Sequence, residues 1–110
     1  MRFAALLLSG CALSFAQSEV AAVIDKPTGE SRAELAHAVS SALDGASVRL
    51  AEDALTRDSL LIIERPHTGR DVDKPEHFRL LKVGEQCTLV HERTGRRTTL
   101  ASTTCQPLVP

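Results

Sequence analysis

The chain has 110 residues, 43% of them hydrophobic, with no Trp or Tyr, three Phe and a formal charge of −1 at pH 7. That length without a long polar linker makes one domain, and the balanced charge gives no electrostatic footprint for nucleic acid or an anionic membrane surface. With so few aromatics the core must come from Leu, Val, Ile and Ala, so a covalent cross-link would carry a large share of the stability.

The first sixteen residues read as an export segment. Arg2 is a minimal basic region, Phe3-Ala4-Ala5-Leu6-Leu7-Leu8 opens an apolar run, and Ser14-Phe15-Ala16 places small residues at −3 and −1 of a cleavage site. Cleavage there gives a signal peptide of residues 1–16 and a mature chain from Gln17. Leu8-Ser9-Gly10-Cys11 also resembles the lipobox of bacterial lipoproteins. That resemblance implies a signal of residues 1–10 and a lipid on Cys11, the one route by which the chain would reach a membrane. The two routes exclude each other in one molecule. The apolar run is shorter than the roughly 17–25 residues of a membrane span.

Residues 17–29 read as a leader before a single small domain of residues 30–110. Within it Glu19-Val20-Ala21-Ala22-Val23-Ile24 has the makings of a short edge strand, stopped by Lys26-Pro27-Thr28-Gly29. From Ser31 the apolar period changes to that of a helix. Ser31 and Glu34 match a capping box, Leu35, Val39, Ala42 and Leu43 form a stripe, and Gly45 suits C′. Ser47-Val48-Arg49-Leu50-Ala51 alternates like a half-buried strand, and Glu52–Asp58 reads as a turn carrying Leu55 inward. Leu60-Leu61-Ile62-Ile63 is the most apolar run of the domain and predicts a central strand; Phe78–Val83 predicts its neighbour.

The C-terminal stretch from Glu85 to Cys105 predicts a β-hairpin about Arg93-Thr94-Gly95-Arg96, with Gly95 able to take positive φ. A two-residue loop sets Leu89 opposite Leu100 and Cys87 opposite Ser102; a three-residue loop sets Leu89 opposite Thr99. In both registers the chain must bend after about Ser102 to bring Cys105 back to Cys87. Either processing route leaves Cys87 and Cys105 to pair with each other, which implies an oxidising compartment, the bacterial periplasm or the cell exterior. The predicted fold class is thus α+β. One N-terminal amphipathic helix packs on a mostly antiparallel, four- to five-stranded meander sheet, and a disulfide closes the C-terminal hairpin.

Thirteen residues, Arg65 to His77, join the two apolar strands where a hairpin usually takes about two to five. Arg65, Arg70, Asp71, Asp73 and Lys74 make this stretch one candidate partner-binding surface; Arg93, Arg96 and Arg97 at the hairpin tip make the other. His67, Asp71, Asp73, Glu76 and His77 include metal-capable side chains but none of the spacings a zinc or calcium site requires. No G-x-S-x-G, C-x-x-C or glycine-rich phosphate loop is present, and His91 alternates with Leu89 as a packing residue would. The function expected is therefore a non-enzymatic periplasmic or secreted domain, without cofactor or metal, that binds another exported or envelope protein. The alternatives are an envelope-anchored accessory lipoprotein and an inhibitor of an exported enzyme.

Overall fold

The computed structural model describes residues 18–64 and 74–109. The expected export segment with Cys11, and Arg65, Arg70, Asp71 and Asp73 of the long connection, lie outside the described residues. The fold is α+β, one helix against an antiparallel sheet, in the order β1 (Glu19–Asp25), α1 (Gly29–Ala42), β2 (Leu60–Ile63), β3 (Glu76–Val83), β4 (Gln86–His91), β5 (Arg97–Thr99) and β6 (Thr104–Pro107).

The sheet has six strands, more than expected, and it is not a meander. The path is β5-β4-β3-β1-β6, with β2 on β3 as well. Glu19–Asp25, expected in a leader and at most on an edge, lies inside the sheet as β1. Its first half pairs with β3, Ala21 opposite Leu81, and its second half with β6, Ile24 opposite Cys105. Conversely, the apolar run of β2 is an edge. It covers the first half of β3 from Ile63↔Glu76 to Leu60↔Arg79, and Ile62 stays 50% exposed. Apolar content marks this run as a strand but predicts neither its burial nor its place, which pairing across the chain decides. The small side chains Ala21 and Ala22 conceal that role of β1 in the sequence.

Helix α1 begins one turn earlier than its predicted cap. Thr28 is the N-cap: its Oγ1 accepts from Ser31 N–H at 3.0 Å while Ser31 Oγ accepts from Thr28 N–H at 2.8 Å. Ser serves here in the N3 role usually taken by Glu or Gln. Glu34, the expected N3 partner, instead accepts from Ser102 N–H at 2.9 Å and Thr103 Oγ1 at 2.8 Å, tying the helix to the turn before β6. At the other end Asp44 takes positive φ (60°) directly after the C-cap Leu43, with Gly45 (83°) behind it. The helix lays Leu35, Ala38 and Val39 on Phe78, Leu80 and Leu89 of the sheet, and Leu43, Leu55 and Leu100 complete the same core. Burying each Leu or Phe side chain contributes about 1.5–3 kcal/mol.

Ser47–Ala51 forms no strand, although its side chains do alternate. Ala46, Val48 and Leu50 pack against the core and Ser47, Arg49 and Ala51 face out. Alternation specifies which side chains turn inward; it does not supply a neighbouring strand. The turn after it carries Leu55 inward, as expected, at a positive φ of 62°.

Both predicted hairpin registers give way to a third. Thr88 faces Thr99 and Leu89 faces Thr98, and the ladder closes at His91 N–H to Arg96 C=O (2.9 Å). The loop is thus the four residues Glu92–Gly95, closed by Gly95 N–H to His91 C=O at 2.7 Å, with Gly95 at φ 77°. Cys87 then lies beside Leu100, whose N–H donates to the Cys87 carbonyl at 2.8 Å. After the turn at 101–102 the chain enters β6, where Cys105 bonds to Cys87 with the Cα atoms 6.0 Å apart. The disulfide therefore joins β4 to β6 and does not close the β4–β5 pair.

Candidate functional site

Strand β3 starts where β4 ends. Phe78 pairs with His91, and Glu92 N–H donates to His77 C=O at 2.9 Å, which sets the β4–β5 loop beside the foot of the β2–β3 connection. The last turn of α1 reaches the same end through Ser41, bonded by Arg96. The hairpin tip and the foot of that connection from Lys74, far apart in sequence, thus share one end of the sheet.

Beneath them lies a buried polar network. Along β3, Glu76, Phe78 and Leu80 turn inward alternately; along β4, Cys87, Leu89 and His91 do. Glu76 Oε1 is 2.7 Å from His91 Nε2, with the two side chains 5% and 1% exposed. Phe78 stacks on the imidazole, ring centroids 4.6 Å apart at 14°. On the far side of the ring Thr94 Oγ1 sits 3.0 Å from Nδ1 and also accepts from Arg96 N–H at 3.2 Å. Arg93 reaches inward from the loop to Glu76, Nε to Oε1 at 3.1 Å and Nη2 to Oε2 at 3.1 Å. With Glu76 ionised beside that guanidinium, Nε2 carries a proton and donates to Oε1, while the Thr94 hydroxyl partners Nδ1 on the other side of the ring. The Arg93 pKa is raised, first by its hydrogen bond to Glu76, then by the Glu76 charge, and to a lesser degree by Asp44.

The predicted tip cations are each engaged within the chain. Arg93 holds Glu76; Arg96 donates to the Ser41 carbonyl and hydroxyl, both at 3.3 Å. Arg97 grips Glu19 with two nitrogens at 3.0 and 2.9 Å, although β4 and β3 lie between their strands in the sheet order. The hydrogen bond from Arg97 lowers the Glu19 pKa. Lys74 is exposed and makes no ion pair among the described residues. His77 and Arg79 flank Glu92 on the outer side, at 3.8 and 2.5 Å.

Glu76 is the residue that sequence reasoning misplaced, grouping it with the metal-capable side chains of the long connection when it is a buried residue of β3. Its signal was its register: it precedes Phe78 and Leu80 at strand spacing, as His91 follows Cys87 and Leu89. Two polar residues on adjoining apolar faces point to a buried pair. Among the described residues no three His, Cys, Asp or Glu side chains gather as a metal site, and no described helix is long and apolar enough to cross a membrane. No protein-family model, curated protein or solved structure matches this chain.

Proposed function

We propose that the chain is an exported, non-enzymatic binding domain that docks another protein of its compartment through the hairpin end of the sheet. The observation that carries this reading is the convergence there of the β4–β5 loop, the foot of the β2–β3 connection and the last turn of α1 on a buried, hydrogen-bonded base. Loops held on a stiff support lose little entropy on binding, which is how a small surface becomes a specific one. The Cys87–Cys105 disulfide supports residence in an oxidising compartment.

The network also dictates which side chains are suitable probes. Arg93 and Arg97 are ion-paired with Glu76 and Glu19, so their replacement would alter those carboxylates' surroundings as well as any interface. Lys74 and Arg96 are the better choices. The test is capture from envelope extract by three immobilised forms: the native chain, a form with residues 66–73 replaced by Asn-Gly, and Lys74→Ser/Arg96→Ser. A protein retained by the native form and lost by either variant, with unfolding midpoints unchanged, supports the reading. Equal retention by all three refutes docking at this end.

A further inference from the structure

We propose that a cleft at the opposite half of α1 binds a small apolar α-amino acid. One wall is Pro27 with Arg32, Ala33 and Ala36 of the helix; the other is the segment Leu50-Ala51-Glu52 with Ala54; Ile24 and Leu35 form the buried floor. The space is about 270 Å³. It exists because two alanines occupy the helix wall and because the chain opposite them is extended without joining the sheet.

Size comes first in deciding the occupant. The volume holds about nine waters at roughly 30 Å³ each and lies just below the roughly 300–1,000 Å³ range of drug-sized sites, so only a small ligand fits. Nucleotides, oligosaccharides and long acyl chains are too large. Chemistry narrows it further. The lining is apolar except for Arg32 and Glu52, which are opposite in sign and whose side chains make no hydrogen bond or ion pair with any described residue. A monocarboxylate would satisfy Arg32 and be repelled by Glu52, and an apolar amine would do the reverse. A free apolar amino acid places a carboxylate and an ammonium on one carbon at the mouth and its side chain on the Ile24–Leu35 floor. It satisfies both charges at once.

The wall is built before any ligand arrives. Leu55, buried and held at φ 62°, accepts at its carbonyl from Ile24 N–H at 2.6 Å, which fixes the segment to β1. Ala54 N–H to Ala51 C=O at 3.1 Å and Thr56 N–H to Asp53 C=O at 3.0 Å close the turn around it. A bulky residue kept at positive φ persists only where its surroundings over-determine it. Here the constraint holds the wall open.

The test is an amide-resonance titration of the disulfide-intact mature chain with L-leucine. Controls are 4-methylpentanoate, which lacks the ammonium, isoamylamine, which lacks the carboxylate, and L-serine, which lacks the apolar body. The expected result is saturable shifts at residues 33, 36, 50 and 54 with a Kd of about 1 mM or tighter. Each control should bind roughly three- to tenfold more weakly. Glu52→Gln should erase the preference for leucine over 4-methylpentanoate, Arg32→Gln the preference over isoamylamine, and Ala36→Phe should abolish binding by filling the space. No saturable shift with leucine, or equal binding of leucine and 4-methylpentanoate by the native chain, overturns the proposal. Because none of these variants lies at the hairpin end, failure here leaves the docking reading to its own experiment.

Discussion

Replacing Glu76 tests whether the stability of the hairpin end resides in the buried pair or in the exposed arginine above it. Glu76→Ala removes the acceptor 2.7 Å from His91 Nε2 and leaves an imidazole that is 1% exposed without that partner. The unsatisfied buried donor costs about 1–3 kcal/mol. The vacated side-chain volume beside Phe78 adds about 1 kcal/mol, for a total of roughly 2–4 kcal/mol. Arg93 loses its acceptor as well, but its side chain is 61% exposed and turns to water. Glu76→Gln keeps an oxygen facing Nε2–H and gives up the charge, so it should lie between native and Glu76→Ala. Arg93→Ala leaves the His91–Glu76 bond in place and should shift the transition least. Urea unfolding of the four proteins, disulfide intact, gives the order directly. If Arg93→Ala proves as destabilising as Glu76→Ala, the buried hydrogen bond is not what holds the hairpin end together and the reasoning fails.

Replacing Cys87 and Cys105 together by Ala should lower the unfolding free energy by about 3 kcal/mol, the chain-entropy value for their separation, and excess reductant should bring the native protein to the same midpoint. The Glu19 carboxyl, its pKa depressed by Arg97, contributes stability that is fully present above the ordinary carboxylate range and is lost as the pH falls through the depressed value. Glu19→Gln should therefore flatten the acid limb of the stability–pH curve and leave its neutral and alkaline parts parallel to the native one. Lys26, exposed and at φ 58°, should accept Gly with a gain of about 0.5–1 kcal/mol, read as a rise in the urea midpoint without change of slope. Intact mass of protein exported by its own host should correspond to a chain starting at Gln17; a diacylglyceryl adduct on Cys11 would place it on a membrane instead.

Local physics was legible in the sequence. The apolar stripe of Leu35 and Val39, the β3 run from Phe78 and the αL glycine of the hairpin follow from helix period, strand period and turn chemistry, each acting over a few residues. Pairing was not legible. Nothing within Glu19–Asp25 says that it will lie between β3 and β6, because the information sits in the edges those strands present. The register of the hairpin was missed for a related reason. A four-residue loop is selected by the Glu76–His91 and Thr94–His91 contacts, one of them made with another strand, over the shorter loops that glycine alone suggests. The candidate site was half visible: its cations could be listed from the sequence, but their acceptors Glu19, Ser41 and Glu76 are brought to them only by the fold.

The position of β1 sets an order on assembly. Its outer neighbour is the last strand described, with Ile24 opposite Cys105, so a chain emerging N-terminus first cannot complete this sheet until β6 follows. The helix and the β3–β4 hairpin can form early from local contacts, while β1 waits through the longest separation in the topology, the kind of pairing that slows folding. The bond between Cys87 and Cys105 brings β6 against β4, so closing it in native register requires β6 to have docked. Native disulfide closure in this chain follows the docking of β6, and its appearance with time when the reduced, unfolded chain is refolded under oxidising conditions is a clock for the moment when β1 and β6 meet.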